Sequence, residues 1–403
     1  MSAYESQAWL QYYPEWTPHH LEYGDTTLLD IYDNNLEVNG DKPATYFFGR
    51  TQTYAELDRQ VRAAAAGLKA FGVRPGDRVA IVAPNSPQYI AAFYAILKLG
   101  AQVVLHNPLY TAHELEGLFQ DHGARIAIAW DKAAPTLEKL RATTNLETVV
   151  SINMINAMPT LQRAALRLPI PPLKSKREQL SSPAPNTVPW ETLVGNAIGG
   201  DGSNITTPED VDKDTIALIM YTSGTTGQPK GLVHTSGGYL AAASWTHDFL
   251  FSHPDPARRD DDVHWCTADL AWVTAHTYEI YGPLSNGVTQ VIYEGVPNAP
   301  HPGRHFEVIE RYRVTSYYTA PTLIRSLKGW HPDGIPAHAD GGPDLSSIRL
   351  IGTVGESVNP EAWTWARTQI GRDTPDLPMV DTWWQSETGA TVLSPRPTDT
   401  AFK

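Results

Sequence analysis

A disulfide framework is ruled out at once, because the 403 residues include one cysteine, Cys266. A lone thiol between Trp265 and Thr267 suits a reducing compartment and reads as a packing residue. Basic charge is also short. Lysine and arginine number 31 against 44 aspartates and glutamates, a formal net charge of −13. That balance argues against a general nucleic-acid binder and describes a solvated acidic surface. Long apolar runs are missing, and none approaches the roughly 18 residues that a membrane span needs. Met1 to His20 mixes acids, tyrosines and prolines and lacks the apolar core of a signal peptide. These absences predict a soluble, cytoplasmic protein, long enough for more than one domain. A Gly-Lys-Ser/Thr triplet is absent too, so the chain has no Walker A loop.

What the chain does have is the stretch Tyr221-Thr222-Ser223-Gly224-Thr225-Thr226-Gly227-Gln228-Pro229-Lys230-Gly231. It follows Ile216-Ala217-Leu218-Ile219-Met220, an apolar run that reads as a buried strand. Glycine lets backbone N–H groups turn toward an anion without a clashing side chain. Hydroxyls donate hydrogen bonds, and a lysine adds a compact positive charge. An ordinary polar turn after a strand is the alternative. The hydroxyl cluster and Lys230 favour the polyphosphate of a nucleotide.

The rest of the chain alternates. Residues 1–50 read as an irregular lead, with Trp9, Tyr12, Tyr13 and Trp16 free to pack, and Ala44 to Phe48 as a strand. Thr53-Tyr54-Ala55-Glu56 is a capping-box pattern, and Leu57, Val61, Ala64, Ala65 and Leu68 follow at helical spacing up to Gly72. Arg78 to Val82 reads as a strand, Tyr89 to Leu99 as an apolar helix, and Val103 to Leu105 as a strand. Thr111-Ala112-His113-Glu114 is a second capping box, and Ile126 to Ala129 is the next strand. Further on, Thr289 to Tyr293, Ser316 to Tyr318 and Ile348 to Ile351 read as strands, with helices over Phe306 to Tyr312 and from Glu361. Strands alternating with helices predict an α/β fold with parallel sheets faced by helices.

Residues 153–212 break this rhythm with clustered prolines, and Arg163, Arg167, Lys174, Lys176 and Arg177 are almost unopposed by acids. The prolines argue against a long amphipathic helix, so the segment reads as a solvated surface insertion. A weak peripheral contact of residues 161–177 with anionic lipid is the alternative, because leucines lie between the cations.

The Thr222–Gly231 stretch closely resembles the phosphate-binding signature of the adenylate-forming superfamily: acyl-CoA synthetases, luciferases and peptide-synthetase adenylation domains. Asp381-Thr382-Trp383-Trp384-Gln385-Ser386-Glu387-Thr388-Gly389 resembles a second signature, in the family's order. Residues 1 to about 220 look like a bacterial long-chain fatty acyl-CoA synthetase. Carriers are Tyr13 to Trp16, Val82 to Gln88, His106 to Thr111, and the insertion from Asn153 to Trp190. From about Lys230 the chain looks like an acetyl-CoA synthetase. Carriers are Gly231 to Thr235, Trp265 to Asp269, Trp272 to His276, Tyr318 to Thr322 and Val354 to Glu356. The resemblance implies the large domain of such an enzyme, as two α/β subdomains with parallel-rich sheets. One covers 1–230, with the insertion and the phosphate loop, and the other 231–403. Enzymes of the family continue past the position matching Lys403, so their C-terminal part is expected to be truncated here.

By the same resemblance, ATP, Mg²⁺ and CoA are the cofactor and co-substrates, and a small carboxylic acid is the partner substrate. Thr222, Ser223, Gly224, Thr225, Thr226 and Gly227 would hold the β- and γ-phosphates, with Lys230 neutralising charge. Gly355, Glu356 and Ser357 would lie along the adenine, Ser357 departing from the usual proline. Asp381 and Thr382 would line the purine edge, with Trp383 and Gln385 in the same motif. Ser386 would reach the α-phosphate, and Glu387 would bind Mg²⁺, its bland alternative being a surface carboxylate. Trp384 would close the acyl pocket, with Val273, Thr274 and Val354 as walls; a plain core tryptophan is the alternative. Trp272 and His276 read as packing residues. The implied activity is AMP-forming acyl-CoA synthesis with short acids, acetate first. The rivals are a long-chain fatty acid ligase and a nucleotide-binding fragment without turnover.

Overall fold

The computed structural model describes residues 6–12, 19, 24–195, 198–222, 229–374, 376–395 and 397. Among them, fourteen strands form two seven-stranded sheets. In chain order the strands are β1 (Pro43–Phe47), β2 (Arg50–Thr53), β3 (Arg78–Val82), β4 (Gln102–Leu105), β5 (Ile126–Trp130), β6 (Thr148–Ile152) and β7 (Val188–Pro189). They continue as β8 (Ile216–Thr222), β9 (Lys230–Thr235), β10 (Val263–Cys266), β11 (Thr289–Val291), β12 (Ser316–Thr319), β13 (Leu350–Thr353) and β14 (Met379–Asp381). The first sheet runs β7-β6-β5-β3-β4-β8-β9, and the second runs β14-β13-β12-β10-β11-β1-β2. Every neighbouring pair is parallel except the two edge hairpins, β8–β9 and β1–β2. The α/β, parallel-rich class expected from the alternation is therefore present.

Local rules place many of the elements. Thr53 caps the helix Tyr54–Ala70 as half of a capping box with Glu56, and Thr111 does the same with Glu114 for Ala112–His122. Each box satisfies two of the N–H groups that a helix start leaves unpaired. The helix Pro87–Lys98 is buried at all twelve positions, as an apolar helix with no polar face must be. Its Ser86 cap accepts from Tyr89 N–H at 3.2 Å. Buried Lys98, at its end, pairs with Asp33 at 2.8 Å. Asn85, one residue before that cap, reaches the segment after β10. It accepts from Leu270 N–H at 2.7 Å and donates to the Ala268 carbonyl at 3.0 Å.

Several expectations change. The lead before residue 50 is not wholly irregular: Leu28–Asn39 is a helix, capped by a Thr27–Asp30 box, with Leu28, Leu29 and Tyr32 buried. Tyr13 and Trp16 lie outside the described residues. The proline-rich insertion is not simply a solvated loop. Helices Thr160–Leu166 and Pro171–Leu180 form within it, because the prolines fall before or at the first turn, where a missing N–H costs nothing. Leu166, Met154, Met158 and Trp190 are buried, while Leu161 is 85% exposed. The strand expected at Ile348 begins at Leu350, and Arg349 just before it pairs with Asp262 at 2.7 Å. Sheet membership also crosses the expected boundary at 230/231. β1 and β2 join the second sheet through β11, and β9 joins the first through β8. Among the described residues no helix is long and apolar enough to cross a membrane.

Candidate nucleotide and acyl site

The phosphate stretch runs from the end of β8, across the connection, into the start of β9. Thr222, the last residue of β8, stands directly across from Lys230, the first of β9. Ser223, Gly224, Thr225, Thr226 and Gly227 lie outside the described residues. Lys230 is exposed. A lysine at a strand start, beside the end of its partner strand, is positioned by that backbone pairing.

The remaining motif residues come from the C-terminal ends of adjacent parallel strands. β13 and β14 pair with Thr353 opposite Asp381. Val354, Gly355, Glu356 and Ser357 follow β13, and Thr382 to Gly389 follow β14. Crevices beyond the C-terminal ends of parallel strands are where open α/β sheets bind ligands. Thr353 donates to Asp381 Oδ1 at 2.8 Å, and buried Thr382 donates to the Thr353 carbonyl at 2.9 Å. The Tyr318 hydroxyl lies 2.7 Å from Thr382 Oγ1. Two adjacent strand ends are thus cross-tied where the purine edge was expected. Gly355 and Ser357 are exposed. Exposed Glu356 pairs with Arg325 at 2.9 Å and accepts a hydrogen bond from the Thr322 hydroxyl. Thr322 first, then Arg325, hold its carboxyl below the usual range.

One histidine joins the two sheets at this point. His234, the buried position of β9, lies with Nε2 2.9 Å from the Ser386 carbonyl oxygen. Burial holds its pKa below the ordinary value, opposed by that hydrogen bond and by the charge of Glu387. A neutral ring bonded to a carbonyl must carry its proton on Nε2 and donate. The bond seats the 381–389 loop against the phosphate hairpin, four residues along the strand from Lys230. Behind it the ring of His234 stacks on Tyr239 at 4.6 Å. Gly389 sits at φ +73° with its Cα against Tyr239, where a Cβ would come to 2.9 Å of the ring. The Thr277 hydroxyl donates to the Gly389 carbonyl, from a buried π-helical turn over His276–Tyr281. Such turns recur at functional sites because they re-aim side chains within a helix.

Trp384 is half-buried beside this tie. Its indole Nε1 donates to the Tyr318 hydroxyl at 3.3 Å, and its ring meets Tyr278 edge-on at 5.6 Å. Trp384 and Val354 pack against one apolar cluster, and Trp384 and buried Val273 against another. Thr274 is half-buried. Trp383 is exposed and bridges back to Leu393, and Gln385 is exposed in a turn closed by Thr388. Glu387 is exposed, and among the described residues no hydrogen bond or ion pair engages it. His276 is a packing residue as expected, buried beside Tyr89 and Phe93. Trp272 is not: it is 62% exposed. Its neighbour Asp269 turns the backbone there, accepting from Ala271 N–H at 2.7 Å, and leaves the indole outside the core.

Sequence reasoning singled out neither His234 nor Tyr318 nor Thr353 as a site residue. The only signal was their place within or beside stretches that carry family resemblance, because their partners lie in distant segments.

The comparisons with known proteins agree with this architecture. Residues 32–402 match the family described as "AMP-binding enzyme". An acetyl-coenzyme A synthetase of Mycolicibacterium smegmatis is 42% identical over 388 residues, covering 92% of this chain and 37% of that protein. The acetyl-coenzyme A synthetases of Mycobacterium tuberculosis and Streptomyces coelicolor are each 40% identical, over 92% and 93% of this chain and 54% and 55% of their own lengths. The chain therefore spans about half the length, or less, of these relatives. The alignments cover both halves, including the one that resembles a long-chain enzyme. Among solved structures, an anthranilate CoA ligase in complex with anthranoyl-AMP superposes with a TM-score of 0.74 at 22% identity. That match covers 94% of this chain and 63% of that one, and at such identity it speaks for the fold. With its family match extending through both sheets and the site between them, the chain belongs to the AMP-binding enzyme family.

Proposed function

We propose that this chain carries the adenylation site of an AMP-forming acyl-CoA synthetase acting on acetate. The reaction joins the carboxylate to the α-phosphate of ATP, releases pyrophosphate, and then passes the acyl group to CoA. The observation that carries this reading is the His234–Ser386 bond, which brings a strand of the phosphate hairpin against the second motif. Two anions must meet in adenylation, so cations and donors have to converge on the phosphates. Lys230 and Thr222 supply them at the hairpin mouth, with Ser223 to Gly227 as the loop between. Ser386 supplies a hydroxyl toward the α-phosphate. The adenine lies along Gly355, Glu356 and Ser357, with Asp381 and Thr382 at its edge.

Glu387 fits a magnesium site. It is a solvent-facing carboxylate without a protein partner among the described residues, and Mg²⁺ on ATP usually takes one or two carboxylates plus phosphate oxygens. Bound there, the ion would neutralise charge between the phosphates. Trp384, braced by Tyr318 and Tyr278, closes the acyl pocket against long chains, with Val273, Thr274 and Val354 as its walls. The relatives named acetyl-coenzyme A synthetases support the short-acid reading.

The test is pyrophosphate release from Mg·ATP with acetate, butyrate, octanoate or palmitate. Acetate-dependent release exceeding that with palmitate is expected. Palmitate ahead of acetate returns the long-chain reading, and nucleotide binding without acid-dependent release leaves a binding module.

A further inference from the structure

A cavity of about 400 Å³ lies away from the site above, between the β1–β2 hairpin and the helices Thr160–Leu166 and Trp190–Leu193. That volume is at the small end of the roughly 300–1,000 Å³ typical of ligand sites. Three arginines line it, Arg50, Arg163 and Arg167, against one carboxylate, Glu191. Among the described residues the arginines in ion pairs are others, and none of these three has a carboxylate partner. Unopposed guanidinium groups around a cavity select an oxyanion, because their planar fork matches carboxylate and phosphate oxygens.

Two glutamines point to the same conclusion independently. Gln52 is 3% exposed and Gln88 4% exposed, and both line the cavity. Gln52 accepts from Thr45 Oγ1 at 3.2 Å, but its Nε2 has no partner among the described residues. Gln88 donates to the Asn153 carbonyl at 3.2 Å, but its Oε1 has none among them. Buried amide atoms are almost always hydrogen-bonded, and each one left open calls for a missing group. Here one donor and one acceptor are left open on the same cavity. Phe47, Pro87, Ala157 and Trp190 supply its apolar surface.

We propose that this cavity binds a small organic oxyanion with an apolar body and a hydrogen-bonding group of its own. The arginines take the oxyanion, the aromatic wall takes the body, and Gln52 and Gln88 take the polar group. The occupant would touch strands of the second sheet and helices that flank the first, so binding it would tie the two together.

Calorimetry on the full chain tests this with 4-hydroxyphenyl phosphate and 4-hydroxybenzoate, which separate a phosphate source from a carboxylate source. Saturable one-to-one binding of either is expected, the tighter one naming the source. Excess Mg·ATP should not displace it. Arg163→Gln or Arg50→Gln should weaken it about tenfold or more. Val194→Trp, which adds bulk to the lining and leaves all three arginines in the sequence, should abolish it in a protein whose thermal unfolding stays cooperative. The proposal is overturned if phenol or inorganic phosphate binds as tightly as the probes. It is overturned equally by displacement with Mg·ATP, by unchanged affinity in both Arg163→Gln and Val194→Trp, or by no saturable binding at millimolar probe.

Discussion

The two sheets share a plan, a parallel run closed by one antiparallel edge hairpin, yet their strands are made of different chemistry. In the first sheet the interior strands are apolar runs such as Val79 to Val82, Val103 to Leu105 and Ile126 to Ala129, all buried. In the second sheet β12 reads Ser316-Tyr317-Tyr318-Thr319 and is just as buried. Its polar atoms are satisfied from neighbouring elements. Ser316 meets His264 Nδ1 at 2.7 Å, Tyr317 meets His305 Nε2 at 2.5 Å, and Thr319 meets Thr267 at 2.8 Å. Burying such groups is tolerable only when each is paired. The comparison teaches a division of labour. Under the proposed function, the apolar sheet would present a hairpin to the nucleotide and the polar sheet would hold the strand ends beside it.

The largest way to break this contrast lies in the apolar half. Phe93→Ala, inside the fully buried helix, should cost about 3–5 kcal/mol in a denaturant titration, as large-to-small core changes do. A Phe93→Ala protein within 1 kcal/mol (about one hydrogen bond's worth) of the parent would show that the helix is not the core it resembles.

Next comes the hairpin. Lys230→Ala should weaken Mg·ATP binding by about 1.5–3 kcal/mol, the scale of hydrogen bonds to charged groups, while thermal stability stays unchanged. Equal calorimetric affinity for the two proteins removes Lys230 from the phosphate site.

The polar half is sharpened by Trp384→Gly. Opening the pocket should move the preference from acetate toward longer acids. Each added methylene contributes about 1–3 kcal/mol once space exists for it. Adenylation rates across acetate to octanoate measure this, and an unchanged order would make Trp384 a packing residue only.

The smallest effect is in pH. Burial lowers His264, His276 and His305 from the usual 6.5 to about 3, all in or beside the second sheet. Below pH 6.5 the unfolded chain takes protons that these rings refuse, so stability falls as pH drops through that window. Glu294 acts oppositely, because burial and then Asp269 raise it from 4.5 to about 7. Between pH 4.5 and 6.5 the folded chain holds a proton on Glu294 that the unfolded chain has lost. Among the described residues burial lowers seven histidines (His106, His122, His234, His247, His264, His276 and His305) and raises four carboxyls (Asp131, Asp269, Glu279 and Glu294), so acidification should destabilise. Glu294→Gln should steepen that decline by up to about 1.4 kcal/mol per pH unit. Denaturation midpoints at several pH values check the slope, and a shallower one in the variant contradicts the assignment.

The comparison also marks how far the sequence was legible. The capping boxes at Thr53 and Thr111, the apolar strands of the first sheet and the buried central helix were readable, because caps and hydrophobic period are local. The two signature stretches stood out by composition, and the fold sets one across the β8–β9 connection and the other after β14. Trp272 was misjudged, since an aromatic residue's usual burial says nothing about a particular turn. The helices in 153–212 were missed because prolines were counted as breakers without asking whether they stood at a helix start.

By itself, then, the order of residues marked the apolar strands and the capped helices, and which loop has the composition expected for phosphate. Each of those follows from interactions a few residues long. Tertiary structure alone decided that β1 and β2 cross into the second sheet through β11, that His234 reaches Ser386, and that Arg50 meets Arg163 and Gln88 around one cavity. Their partners lie tens to hundreds of residues away. Pairing over such separations is set by burial of whole sheet faces and by closing long loops, whose entropy grows so slowly with length that sequence distance does not choose among them.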